Sequence, residues 1–211
     1  MYTRAEWYPL YEPGSLARYC RWIGDRRTLG WCARVIDEVL SGLIAASAVG
    51  LVHLDIKPGN IVLDGDRARV IDWGLSRVWD ATDPSTLIER GTPFFASPEQ
   101  LIRPQERWDK PWADLYGVGA TFYWLLAGQA PLQYEARSGY DLMEYRKLLL
   151  AGVRPQPVHK LVTGVPRPLG NLIDRWLSFD PERRVPPGTP MAGALRAARG
   201  ELGALRRSCP R

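Results

Sequence analysis

A chain of 211 residues is long enough for one domain with a true core and leaves room for at most two small ones. With 45% hydrophobic and 24% charged residues, 20 Gly and 18 Pro, its make-up is that of a folded, loop-rich protein and excludes a disordered chain. The formal charge of +5 and the pI of about 9.3 would suit a nucleic-acid partner, but the arginines are scattered along the whole length and mark no basic run, so none is expected.

The cysteines, Cys20, Cys32 and Cys209, are odd in number and stand in no CxxC or other metal-ligand spacing. Neither a disulfide framework nor a zinc site is expected, and a reducing cytoplasm fits. No charged stretch followed by an apolar one opens the chain, and the mostly apolar run Leu115 to Gln129 is too short to cross a bilayer. That run reads as a buried helix, and no membrane partner is expected.

In chain order, residues 2–8 have the make-up of a short strand, broken by Pro9, Pro13 and Gly14. From about Leu29 to Ser47 the apolar positions Val35, Ile36, Val39, Leu40, Leu43 and Ile44 recur at helical spacing, which predicts an amphipathic helix. Ile61 to Leu63 and Ala68 to Ile71 are short β-prone runs separated by Asp64-Gly65-Asp66, a turn chemistry that suits a tight hairpin. Antiparallel pairing of those runs brings Asn60, which enters the first, and Asp72, which leaves the second, to the same end. Asp55 and Lys57 lie on the loop that feeds the hairpin. Carboxylate and amide oxygens are the hard donors that Mg²⁺ prefers, and a lysine beside them can neutralise a transferring phosphoryl group. The plain alternative is a hairpin with solvated Asp and Asn residues, the usual fate of such residues in turns.

From Leu75 to Ala96 no period is sustained, and Asp80, Asp83, Pro84, Gly91 and Pro93 predict a long loop, a feature often tied to function. Trp112 to Ala127 is helical and apolar on nearly all faces, ends at Gly128 and reads as a central core helix. Further helices are expected at Leu142 to Leu150, Leu169 to Leu177 and Met191 to Leu205. The expected fold class is mainly α with a small β-hairpin.

Taken together, these segments resemble eukaryotic-type Ser/Thr protein kinases from the hinge to the end of the domain. His53-Leu54-Asp55 with Lys57 and Asn60 is similar to the catalytic loop, Asp72-Trp73-Gly74 to the metal-binding DFG, and Ser97-Pro98-Glu99 to APE. Glu12 to Leu16 is similar to the end of the hinge, and Asp180 to Arg184 to the late motif whose Arg pairs with the APE glutamate. The resemblance implies a kinase C-lobe truncated at the hinge, a single unit over residues 1–211. In it, 1–8 is the last N-lobe strand, 9–16 the hinge, 51–74 the catalytic loop and metal-binding hairpin, 75–99 the activation segment and 112–127 the core helix.

The same resemblance implies ATP and Mg²⁺ as cofactors and protein as substrate. Asp55 would accept or orient the substrate hydroxyl proton, Lys57 would steady the γ-phosphate, and Asn60 and Asp72 would hold Mg²⁺. Thr92 would bridge Asp55 and Lys57 and point to Ser or Thr as acceptor. Pro9 and Tyr11 would offer hinge backbone groups to adenine, with Val62, between Ile61 and Leu63, lining it from below. Asp114 would receive hydrogen bonds from the catalytic-loop backbone, His53 would stack under Trp73, and Glu99 and Arg184 would form a buried ion pair. Thr82, Ser85 and Thr86 are candidate phosphorylation sites, although Leu54 stands where many kinases carry the Arg that reads a phosphorylated loop.

The front of the sequence departs from the family. Aligning Gly14-Ser15-Leu16 with the hinge end leaves no Gly-rich phosphate loop, αC glutamate or β3 lysine, and Lys57 is the first lysine of the sequence. One reading is a kinase completed by a partner chain that supplies an N-lobe; the others are a pseudokinase-like scaffold and a natural product longer than these residues. The IDW and PGN segments also resemble small-molecule phosphotransferases acting on aminoglycosides and choline, but Thr92, the SPE motif and the 22 residues between Gly74 and Ser97 favour the protein-kinase side. Trp73, Val62 and residues 2–8 are expected to leave an apolar face that associates with an N-lobe-like chain or a second copy.

Overall fold

A computed structural model describes residues 15–17, 20, 28–65, 67–78, 93–102, 111–133, 142–190 and 193–208. The expected strand at 2–8, the hinge residues Pro9 and Tyr11, and Thr82, Ser85, Thr86 and Thr92 lie outside them.

The first long helix, α1 (Leu29–Ser47), starts where Thr28 accepts a hydrogen bond from Trp31 N at 3.1 Å, a side-chain cap on an otherwise unpaired donor. Its stripe of Val35, Ile36, Val39, Leu40 and Leu43 is buried, as the helical spacing demands. Leu51–Val52 forms β1. The hairpin follows as β2 (Ile61–Asp64) and β3 (Arg67–Val70), antiparallel with Asp64 opposite Arg67 across a two-residue connection. Ile71 does not continue β3: its N–H donates to Asn60 O at 2.9 Å while the next residue, Asp72, turns into the left-handed region at φ 59°.

The loop expected over Leu75 to Ala96 is corrected in its described parts. Arg77–Val78 forms β4, antiparallel to β1, and Pro93–Phe95 is a 3₁₀ turn. Pairs of two residues are too short to leave a period in a sequence, so β1 and β4 are visible only as a contact. Helix α2 (Pro98–Ile102) opens the second half of the chain.

Helix α3 (Pro111–Ala127) is the centre of the core, with every residue from Ala113 to Leu125 buried. Pro111 begins it, where the missing N–H costs nothing, and Gly128, at φ 73°, closes it with a hydrogen bond to Trp124 O at 2.8 Å. Around it lie α4 (Leu142–Leu150), the short α5 (Val158–Leu161), α6 (Arg167–Trp176) and α7 (Ala194–Ser208). The last two start and stop a few residues from their sequence expectations, within the usual uncertainty of helix ends. Arg199 of α7 clasps Asp37 of α1, Nε to Oδ1 at 2.9 Å, and Arg206 adds a contact of 3.2 Å to the other oxygen. The architecture is mainly helical with two antiparallel strand pairs, and among the described residues no helix is long and apolar enough to cross a membrane.

Candidate active site

The segment between β1 and β2 holds Asp55, Lys57 and Asn60, and α3 fixes its shape. Asp114, on the first turn of α3 and 2% exposed, accepts hydrogen bonds from His53 N (2.9 Å) and Leu54 N (2.7 Å), one on each carboxylate oxygen. Burial pushes the Asp114 carboxyl upward, and the two backbone N–H groups draw it back. Leu54 is thereby held at φ 68°, a left-handed conformation that side chains other than glycine adopt only when their surroundings impose it. From the other side, Gly117 of α3 lies so close to the loop that a Cβ there would stand 2.8 Å from Ile56 O.

His53 is fully buried and joins the loop to the end of the hairpin. Its Nδ1 accepts from Asp55 N at 3.2 Å and its Nε2 faces Ile71 O at 3.0 Å. One neutral tautomer, with the proton on Nε2, satisfies both contacts. The ring meets Trp73 edge-on, with centroids 4.6 Å apart and planes at 62°, so the two rings touch without stacking in parallel.

Asp55 stands at the centre. Lys57 Nζ donates to its Oδ2 at 2.7 Å and Asn60 Nδ2 to the same oxygen at 2.8 Å; Nδ2 also reaches the Asp55 carbonyl at 2.9 Å. Among the described residues Oδ1 of Asp55 accepts no hydrogen bond, which leaves one carboxylate oxygen open. By the same geometry Asn60, holding inward with its amide nitrogen, presents Oδ1 as an acceptor. Asp72 is exposed, and its Oδ1 accepts from Gly74 N at 3.4 Å.

The hydrogen bond between Ile71 N and Asn60 O puts Asp72 one residue beyond the rung that Asn60 occupies. Among the described residues no cluster of three or more His, Cys, Asp and Glu side chains could cage a metal ion. Mg²⁺ in nucleotide sites needs no such cage: one or two protein oxygens suffice when phosphate and water supply the rest. An amide oxygen that accepts no hydrogen bond among the described residues and an exposed carboxylate at one end of a hairpin fit that donor set. Val62 is half-buried, facing away from the core to which its neighbour Ile61, wholly buried, is committed, and it forms an antiparallel bridge with Ser15.

Residues 10–192 match the protein kinase domain. The chain belongs to that family. The kinase domain is 32% identical over 188 residues to the serine/threonine-protein kinase Pkn1 of Myxococcus xanthus, which covers 85% of this chain and 26% of that protein. It is 34% identical over 171 residues to the serine/threonine-protein kinase PknL of Mycobacterium tuberculosis (strain CDC 1551 / Oshkosh), covering 80% and 40%. The serine/threonine-protein kinase pkn3 of Myxococcus xanthus is 30% identical over 165 residues, covering 74% and 29%. The kinase domain thus spans between about a quarter and two fifths of these relatives' lengths. In general, kinases of this family transfer phosphoryl groups from ATP with the help of Mg²⁺.

One residue of the site carries no signal in the sequence. Gln100 lies in α2, and its amide reaches back to Leu54 O at 3.0 Å. That partner lies 46 positions earlier, so spacing could not have paired them.

Proposed function

We propose that this kinase domain transfers the γ-phosphoryl group of Mg-ATP to Ser or Thr of a protein substrate in the cytoplasm, and does so when a partner chain supplies an N-lobe. The observation that best supports the reading is the convergence of Lys57 Nζ and Asn60 Nδ2 on one oxygen of Asp55, which orients the carboxylate and keeps its other oxygen open. In this reading Asp55 takes the hydroxyl proton, Lys57 steadies the transferring group, and Asn60 Oδ1 and Asp72 hold Mg²⁺, whose charge offsets that of the phosphates. Thr92 supports Ser/Thr selection, and Pro9, Tyr11 and Val62 frame the adenine. An N-lobe supplied from elsewhere is part of this reading because the 211 residues hold no Gly-rich phosphate loop and no lysine before Lys57. That same feature favours a second reading, a scaffold with a kinase surface and no turnover.

Calorimetry and phosphotransfer assays separate the readings. The 211-residue chain should bind Mg-ATP weakly, and addition of an N-lobe polypeptide should raise both affinity and transfer to protein. Submicromolar affinity of the chain alone would remove the need for a partner. Absence of transfer in the assembly would leave the scaffold, and transfer to aminoglycosides or choline in place of protein would overturn the substrate class. Light scattering tests association through the face around Trp73 and Val62: a monomer with residues 2–8 already protected from hydrogen exchange would mean that no partner is needed there.

A further inference from the structure

The peptide unit that joins Leu54 to Asp55 is gripped from both sides. Its N–H donates to His53 Nδ1 at 3.2 Å, and its carbonyl accepts from Gln100 Nε2 at 3.0 Å. Leu54, just before it, is itself pinned through its own N–H to Asp114 and sits at φ 68°. Gln100 is 8% exposed, and its other amide atom is committed too: Oε1 accepts from Ser97 N at 2.9 Å and from Ser97 Oγ at 2.8 Å. Turning the amide over would set its NH₂ against the Ser97 N–H, so the bonds at Ser97 dictate that Nε2 faces Leu54. A single buried amide therefore spans from Ser97, at the entry of α2, to the peptide plane that aims Asp55.

We propose that Gln100 is a positioning residue for Asp55, and that it couples the seating of residues 97–102 to the acceptor carboxylate without any phosphate. Leu54 carries no charge with which to grip a phosphorylated segment, so an ionic link at that position is not available to this chain. A neutral amide supplies the link whatever the phosphorylation state. When Ser97 moves, Gln100 loses its orientation, and the left-handed Leu54 and the peptide after it lose one of their restraints. The inference rests on the reading of Asp55 as the hydroxyl acceptor, and the test has one readout that does not depend on that reading.

Gln100→Glu keeps an oxygen for Ser97 and replaces the donor toward Leu54 O with an acceptor. On the full 211-residue chain, residue-resolved hydrogen exchange at the Asp55 amide should accelerate by about ten-fold or more, while amides of α1 and α3 keep wild-type protection. In the assembly with an N-lobe, kcat should fall by about 10- to 100-fold with KM for Mg-ATP unchanged. Unchanged exchange at Asp55 overturns the positioning role, as do unchanged kinetics in an assembly whose wild type is active. If the wild-type assembly is itself inactive, phosphotransfer is the reading that fails, and the exchange result alone decides the role of Gln100. Should Gln100→Glu not fold, Ser97→Ala, which removes one of the bonds that orient the amide, decides: faster exchange at Asp55 with the helices intact supports the proposal, and wild-type exchange overturns it.

Discussion

Arg184 sets both terminal nitrogens of its guanidinium on the two carboxylate oxygens of Glu99, 85 positions earlier in the chain, with its own side chain wholly removed from solvent. It also donates from Nε to Ser178 O at 2.9 Å and from Nη1 to Trp112 O at 2.8 Å. The pair ties α2 and the start of α3 to the turn at Pro181–Arg184. Glu99→Ala leaves this guanidinium buried without its counter-charge, at an expected cost of about 3 to 5 kcal/mol. For a chain of this size that is a fall in melting temperature of roughly 6 to 20 °C. A melt within a degree of wild type would show that the fork contributes little.

Asp55→Asn and Asp72→Asn should both abolish phosphotransfer in an assembly with an N-lobe, for different reasons. The first removes the proton acceptor and turns a donor toward Lys57; the second removes a metal ligand. Asp72 is exposed and its hydrogen bond from Gly74 N is local, so stability should stay within about 0.5 kcal/mol of wild type. Calorimetric Mg-ATP titration separates the two, because only Asp72→Asn should weaken binding. Wild-type rates in both variants would mean that the chemistry is elsewhere.

Asp114 is the anchor whose replacement should disturb the site without touching it. Asp114→Asn keeps one acceptor oxygen and sets an NH₂ against the other backbone donor, either His53 N or Leu54 N. Loss of a hydrogen bond to a charged group costs about 1.5 to 3 kcal/mol. Chemical denaturation should report that loss, and exchange at His53 and Leu54 should rise more than exchange in α1. Uniform change across the fold would argue that Asp114 holds the core and not the loop.

Gly117→Ala offers a probe from the opposite side. The added methyl would meet Ile56 O at 2.8 Å and Ile56 Cβ at 2.9 Å, so the loop or the helix must give way. Overpacking of this kind costs about 1 to 3 kcal/mol. Because Ile56 adjoins Asp55, activity in the assembly should fall more than stability alone accounts for at a temperature where the variant remains folded. Equal stability and activity to wild type would show that the helix and loop have slack.

Much of the fold was legible from local pattern. The helix from Leu29 to Ser47 keeps its expected ends because Thr28 is a side-chain cap and the apolar stripe is unbroken. The hairpin was readable because Asp64-Gly65-Asp66 separates two β-prone runs. Ile71 was placed one residue too far into its strand, since pairing pattern does not foresee the left-handed turn at Asp72. At the site, Asp55, Lys57 and Asn60 fall within a few residues and form their contacts locally. Gln100 and β4 were not legible, because each is defined by a partner distant in sequence and neither carries a periodic signal.

The two bonds that Asp114 makes to the loop close spans of 61 and 60 residues. At about 5 to 20 residues per second of synthesis, roughly 3 to 12 s separate the appearance of His53 and Leu54 from that of their anchor. The strained backbone at Leu54 has no local reason to form in that interval. Until α3 has been made, the loop between β1 and β2 lacks the carboxylate that imposes its left-handed turn.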